Sequence, residues 1–369
     1  MLVYVGTYTE PIRFGTGQVL NGKGEGIYAF RMDRQTGALE LVGTTIEVPN
    51  PSYLAFDATQ RFLYAVNELK SYQGHPTGTV SAFALDPATG KLKFVNKQPT
   101  HGTDPCHVTV HPKGKYVFVA NFMSGSIGVL PVRDDGGLQA ASDFVQHHGS
   151  GIDPVRQNGP HAHSVTLDRS GRYAFVPDLG LDKVVIYRFD AARGMLEPSG
   201  SPWIKMKPGS GPRLLALDPG GTTAYLVNEL SSTIAVLSLD RRVGGLRELQ
   251  IVTTLPAGFA GRSTCADVQV SPSGRFVCVS NRGHDSIAIY RTDRRTGTLT
   301  LIDHQSSSGK TPRSFAIDPT GRFLLVANQD TDSIVTFRIH GQSGKLQPTG
   351  HIAQVPTPVC VKVRGALSA

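Results

Sequence analysis

No run of about 18 apolar residues occurs in this chain of 369 residues, so no membrane-spanning helix is expected. Cysteine is scarce: Cys106, Cys265, Cys278 and Cys360 lie far apart, with no C-x-x-C spacing. That argues against a zinc cage or a disulfide framework and fits thiols in a reducing compartment. No block of five or more basic residues appears, although 37 Lys and Arg against 29 Asp and Glu leave a net charge of +8. Scattered positive charge speaks against a nucleic-acid partner and leaves an anionic small molecule, held in a locally cationic channel, as the partner to expect. No G-x-S-x-G turn is found, so a serine nucleophile elbow is not expected. The opening MLVYVGTYTE has no basic region followed by a cleavage site, and Val3 to Tyr8 reads as a strand. A secretory signal is therefore not expected, and the cytoplasm is the expected location.

Glycine and proline are plentiful, at 41 and 24 residues, as many tight turns between short strands require. A phrase recurs seven times: an acidic or polar turn, then Gly-x-Leu or Gly-Leu, closing at Leu39, Leu92, Leu138, Leu196, Leu246, Leu299 and Leu346. The spacings run from 46 to 58 residues. A period near 50 with β-rich content predicts an all-β fold, a seven-bladed β-propeller spanning residues 1–369 as one domain. In the copy from Ser271 to Leu299, Phe276 to Ser280 and Ser286 to Tyr290 read as strands with turns after each. Short apolar segments precede each copy (Val108 to Val110, Val165 to Leu167, Leu214 to Leu217, Val268 to Val270, Phe315 to Ile317) and read as innermost strands. The recurrent Asn67, Asn121, Asn228, Asn281 and Asn328 are expected to tie loops through backbone hydrogen bonds. The first copy lacks an inner strand. The C-terminal segment Val359 to Val363 is expected to supply it, closing the ring without a free edge. Residues Pro11 to Glu25 read as a loop inserted into the first blade.

Chemistry is sought where the repeat is broken. Aligned on Asp57, His111, Asp168, Asp218, Ser271 and Asp318, the positions five residues earlier hold Ser52, Cys106, His163, Arg213, Ala266 and Arg313. The residues after the recurrent Asn or its equivalent are Glu68, Phe122, Leu179, Glu229, Arg282 and Gln329. A propeller brings both sets to one channel mouth, so His163, Arg213, Glu229 and Arg282 are expected to face each other. His107, His161 and Arg313 are expected beside them. Arginine binds carboxylate or phosphate in bidentate fashion, Glu or His can activate water, and Arg can receive a developing oxyanion. Salt bridges knitting the blades together are the alternative reading of the same charges. So many arginines leave little room for a catalytic metal, and no cofactor is expected.

At these residues the chain resembles the seven-bladed lactonase family of bacterial propeller-type 6-phosphogluconolactonases and fungal carboxy-cis,cis-muconate lactonising enzymes. The matching phrases, in order, include VGTYT, PCHVTVHP, PHAHS, GPRLLALDP, YLVNELSSTIAV, SNRGHDSIAIY, PRSFAIDPTGRFLLVAN and PTPVCVKV. The resemblance implies a catalytic set of His163 from PHAHS, Arg213 from GPR, Glu229 from NEL and Arg282 from NRG. Substrate contacts from His107, His161 and Arg313 complete the expected pocket. One phrase departs: the family's GPRH reads GPRL, with Leu214 in place of an imidazole. The implied activity is metal-independent hydrolysis of an acidic sugar lactone, 6-phosphogluconolactone first, with Glu229 or His163 activating water. The alternatives are a carboxymuconate cycloisomerase, a non-catalytic binding propeller, and a metal-dependent gluconolactonase. A monomer or weak homodimer is expected.

Overall fold

The computed structural model describes residues 1–365, so the last four residues of the expected 1–369 domain lie outside the described residues. Seven four-stranded antiparallel sheets follow one another along the chain, as the repeat demands. Blade 2 is built from Leu54–Phe56, Phe62–Asn67, Thr79–Leu85 and Leu92–Pro99, and blade 3 from Pro105–Val110, Tyr116–Asn121, Ser126–Pro131 and Asp143–Gln146. Blade 4 holds Thr166–Leu167, Tyr173–Asp178, Lys183–Asp190 and Met195–Lys205, and blade 5 holds Pro212–Leu217, Thr223–Asn228, Thr233–Asp240 and Gly245–Thr253. Thr264–Val270, Phe276–Arg282, Ser286–Thr292 and Leu299–Ser306 form blade 6, and Pro312–Ile317, Phe323–Asn328, Ser333–Ile339 and Leu346–Gln354 form blade 7.

Blade 1 closes the ring. Its strands Leu2–Thr7, Ile27–Met32 and Leu39–Thr45 are joined by the C-terminal Pro358–Arg364, which pairs antiparallel to the first strand, Val5 opposite Val361. The inner strand of blade 1 therefore comes from the far end of the chain.

Seven apolar clusters fill the seven blade interfaces. One example joins Phe118, Ala120 and Ile127 of blade 3 to Ala174, Val176 and Phe189 of blade 4. Another joins Val3, Val5 and Phe30 of blade 1 to Phe323, Leu325 and Ile334 of blade 7. Each large side chain removed from water in this way contributes about 1.5–3 kcal/mol.

The recurring glycine has a steric reason. Gly37, Gly90, Gly136, Gly194, Gly244, Gly297 and Gly344 each stand two residues before a closing leucine and have φ between +69° and +81°. Each also lies against a residue that opens, or stands next to the opening of, a strand of the preceding blade. A Cβ on Gly136, for example, would stand 2.2 Å from the Phe62 ring. Only glycine meets both demands, positive φ and close approach.

Four of the five recurrent Asn residues tie loops as expected: the side-chain amides of Asn67, Asn121, Asn281 and Asn328 donate to the carbonyls of Pro49, Thr100, Thr254 and Ser307, whereas that of Asn228 donates to the Thr233 hydroxyl at 3.1 Å. Two expectations need correction. Residues Pro11 to Glu25 are not all loop, because Ile12–Arg13 and Val19–Leu20 pair as a short antiparallel hairpin. Ile12 gives that hairpin a footing by packing on Tyr8 and Val359. The inner strand of blade 4 is only Thr166–Leu167, shorter than expected. Asp178 replaces the usual Asn there, and its Oδ1 gathers the N–H groups of His161, Gly180 and Leu181. Ala162 still pairs with Asp178 as an isolated bridge, and the ladder is interrupted just after it, where the Val165 N–H turns to Nδ1 of His107 at 3.4 Å.

Candidate active site

One mouth of the central channel opens into a cleft of about 1040 Å³. His163, Arg213, Glu229, Arg282 and Arg313 all line it. The inner-strand entries of blades 4, 5 and 7 carry His163, Arg213 and Arg313. Glu229 and Arg282 follow or close the second strands of blades 5 and 6. The blade geometry thus converts one repeat register into one shared space.

Glu229 is the hub of the charges. Its Oε2 accepts from Nη1 of Arg213 and lies 3.1 Å from Nη2 of Arg282; its Oε1 accepts from Nη2 of Arg156 at 2.6 Å. Burial alone would raise the Glu229 carboxyl, but Arg282, Arg213 and Arg156 together outweigh it and hold the group well below the usual carboxylate range. The arginines are fixed from behind as well. Arg213 Nε donates to the Ala266 carbonyl at 2.8 Å, and Arg282 Nη2 to the Cys265 carbonyl at 2.9 Å. Burial and the neighbouring guanidiniums push Arg282 down from the usual arginine range, while Glu229 opposes them. The Nε atoms of Arg156 and Arg282 are buried with no partner. Such donors favour an anion arriving in the cleft.

His163 is buried beside Arg213. Burial first, and the Arg213 charge second, hold its imidazole well below its ordinary pKa, so the ring is neutral. Arg213 Nη1 donates to Nε2 at 2.5 Å, which leaves the proton on Nδ1, 3.6 Å from the Cys106 sulfur. Arg313 Nη2 donates to the Tyr8 hydroxyl at 2.9 Å, and that hydroxyl donates to Glu68 Oε2 at 3.0 Å. The Arg313 guanidinium also lies over the rings of Tyr8 and Phe14, 5.4 Å from each centroid.

His107 and His161 stand apart from the cleft. His107 packs on Tyr53 with ring centroids 4.3 Å apart, and it lines a small enclosed pocket of about 20 Å³ deeper in the channel. That volume is enough for a single water. Leu214, the residue in place of the family imidazole, lines the same deeper pocket rather than the cleft. His161 lies behind Phe122: it stacks on that ring at 4.7 Å and donates from Nδ1 to the Phe122 carbonyl at 3.0 Å. Phe122 is the member of this pair that lines the cleft.

Several lining residues escaped the sequence reading. Arg156 sits in the long connection between blades 3 and 4, which has no repeat counterpart. Arg13 and Phe14 come from the hairpin inserted in blade 1, which overhangs the cleft. Glu68 was visible as a break in the repeat, since it follows Asn67 as Glu229 follows Asn228. Asp104, at the entry to blade 3, gave no such signal. Among the described residues, no three His, Cys, Asp or Glu side chains gather as a metal cage would require.

Known proteins of one propeller family resemble this chain over nearly its whole length. Residues 2–363 match the family model described as Lactonase, 7-bladed beta-propeller. The chain is 36% identical over 359 residues to the 6-phosphogluconolactonase of Bacillus subtilis, with 97% of each chain covered. It is 34% identical over 320 residues to the 6-phosphogluconolactonase of Formosa agariphila, covering 85% of this chain and 86% of that one. Among solved structures, the periplasmic gluconolactonase of Pseudomonas aeruginosa superposes with a TM-score of 0.90 at 35% identity, covering 98% of this chain and 99% of that one.

Proposed function

The chain belongs to the seven-bladed β-propeller lactonase family, and from that premise we propose that it hydrolyses an acidic sugar lactone, with 6-phospho-D-glucono-1,5-lactone as substrate and 6-phosphogluconate as product. The single observation that carries this reading is the set of three guanidiniums, Arg156, Arg213 and Arg282, gathered by one carboxylate at the wall of an open cleft.

Ester hydrolysis places negative charge on the carbonyl oxygen as water adds. Fixed cationic donors aimed at that oxygen lower the barrier without reorganising. Arg213 and Arg282 take that role, and Arg313 with Arg156 offers further charge to the substrate's anionic group. Glu229 serves as the anchor that holds the guanidiniums in place. With its oxygens engaged and its pKa depressed, it is a poor acceptor for a proton from water. His163 is neutral and turns its lone pair to Arg213, so it orients that guanidinium. His107 and His161 support the site from behind, through Tyr53 and Phe122. The names of the two bacterial relatives favour hydrolysis over cycloisomerisation.

Four free buried thiols suit the cytoplasm, which is the location this reading adopts, although one structural relative is periplasmic by its name. No helix of the described residues is long and apolar enough to cross a membrane.

Turnover of 6-phosphogluconolactone by the full-length chain, followed by acid release above the spontaneous rate, tests the proposal. Arg282→Ala is expected to lower kcat/KM by about 100-fold or more. Turnover unchanged in that variant would remove the oxyanion role. Loss of the ultraviolet band of a carboxymuconate, with no action on the lactone, would turn the reading to cycloisomerisation.

A further inference from the structure

Blades 2 and 3 bring carboxylates to the same cleft that the arginines line. Asp104 stands there at the entry to the inner strand of blade 3, directly before Pro105. Its φ of 53° lies in the left-handed region, which non-glycine residues enter at a cost. The backbone is held on both sides: the Asp104 N–H donates to the Leu69 carbonyl, and its carbonyl accepts from the Phe122 N–H, each at 2.9 Å. The residue is only 3% exposed, it lines the cleft, and its Oδ2 is buried without any hydrogen-bond donor. Native folds rarely bury such an oxygen unless something outside the protein supplies the donor. Leu69 follows Glu68, so the same hydrogen bond places Asp104 beside the Tyr8–Glu68 pair.

We propose that Asp104 is the general base of this cleft, removing the proton from the water that attacks the lactone carbonyl, while the arginines lining the same cleft receive the oxyanion. The proposal rests on the lactonase reading above.

The step balances without a co-reactant. The Asp104 carboxylate takes one proton from water as the water oxygen bonds to the carbonyl carbon. The carbonyl π pair moves to its oxygen, facing Arg213 and Arg282. As that pair returns, the bond from the carbonyl carbon to the ring oxygen breaks, and the ring oxygen takes the proton back from Asp104. The product acid then releases its proton to solvent.

The electrostatics suit this role. Burial first, and the Glu68 charge second, raise Asp104 to about 7, against the opposing pull of Lys70 and the Thr103 hydroxyl. A base with a pKa near the working pH is the effective one. The groups facing it are Glu68 and Lys70 from blade 2 and its turn, and Cys106 from its own strand. Beyond Glu68 lie Tyr8 and Arg313.

The test uses full-length protein and 6-phosphogluconolactone, with spontaneous hydrolysis subtracted. Asp104→Asn is expected to lower kcat by about 100-fold or more while KM stays within about threefold. Formate added to Asp104→Ala is expected to restore part of the loss, which a purely structural role would not allow. The wild-type kcat/KM is expected to fall along a one-proton limb as pH drops through about 7, and Glu68→Gln, by removing a negative neighbour, to move that limb to lower pH. An active wild type with kcat retained within about threefold in a folded Asp104→Asn would overturn the base assignment and leave the lactonase reading standing. A wild type without turnover on the lactone would overturn both. Should the Asp104 variants not fold, the native limb and its displacement in Glu68→Gln decide: a flat profile between about pH 5 and 8 overturns the proposal.

Discussion

Arg213 donates through Nη1 to Nε2 of His163 at 2.5 Å and, through the same nitrogen, to Oε2 of Glu229. Two residues 50 positions apart thus meet because each occupies the same register in successive blades. Burial first, and this contact second, keep His163 a neutral acceptor, and the same nitrogen commits Glu229 to its arginines. It therefore divides the site into a positioning half and a reacting half.

Glu229→Gln is the direct probe of the positioning half. Removing one charge from a buried cluster leaves three guanidiniums without their counter-ion, and one-sided deletions of this kind cost about 3–5 kcal/mol. We expect a thermal midpoint several degrees lower at pH 7 and a kcat/KM reduced at least tenfold. The Glu229 carboxyl is held well below its ordinary pKa in the fold. Its contribution is thus present above about pH 4.3 and is lost as pH falls through the depressed value. The gap between the two proteins should narrow in acid. A gap that stays constant as pH falls from about 4.3 to about 2 would contradict the ion cluster as its source.

Asp104→Asn is expected to stabilise the protein in mild base. With a folded pKa raised to about 7, Asp104 favours the fold below the ordinary carboxylate pKa, and this advantage disappears as pH rises through 7. An amide carries no such charge at any pH. Melting curves at pH 8 should show a gain of about 1–3 kcal/mol for the variant, shrinking toward pH 5. A stabilised but inactive variant is the signature of a residue kept for chemistry. Equal stability at both pH values would show that the carboxylate is not strained.

Leu214→His asks what the departure from the family phrase does. Leu214 faces the deeper pocket of about 20 Å³ beside His107 and Asp267, which is too small for a sugar. Restoring the imidazole is expected to change kcat/KM for phosphorylated and unphosphorylated gluconolactone by the same factor, within about threefold, at a stability cost near 1–2 kcal/mol for the polar ring. A selective change for one substrate would place the deeper pocket in contact with the ligand.

Gly136→Ala tests the steric origin of the repeat. The new Cβ would sit 2.2 Å from Phe62 on a backbone with φ of +80°. We expect destabilisation of about 2 kcal/mol or more, with KM unchanged in the folded fraction, read by chemical denaturation and kinetics.

The repeated Gly and Leu, the turn residues and the alternating apolar strands carried seven blades and the C-terminal closure, because each blade buries the same face against its neighbour. The same periodicity made His163, Arg213, Glu229, Arg282 and Arg313 legible, since each is a polar residue at a position shared between blades. Register along the chain could not show depth along the channel. His107 is one residue past the mouth position held by Cys106, and that single step places it in the inner pocket. Nor could it place Arg156, Arg13 and Phe14, which come from insertions without a counterpart in other blades.

The amino-acid order by itself determined the number of sheets, their antiparallel pairing and which positions of the repeat turn toward the hub, because strand period and turn sterics are local. Only the tertiary structure decided that one carboxylate, Glu229, is held by three arginines while another, Asp104, is left buried and unpaired. Charge pairing and desolvation depend on what six or seven distant segments bring to one space, and no stretch of chain contains that information.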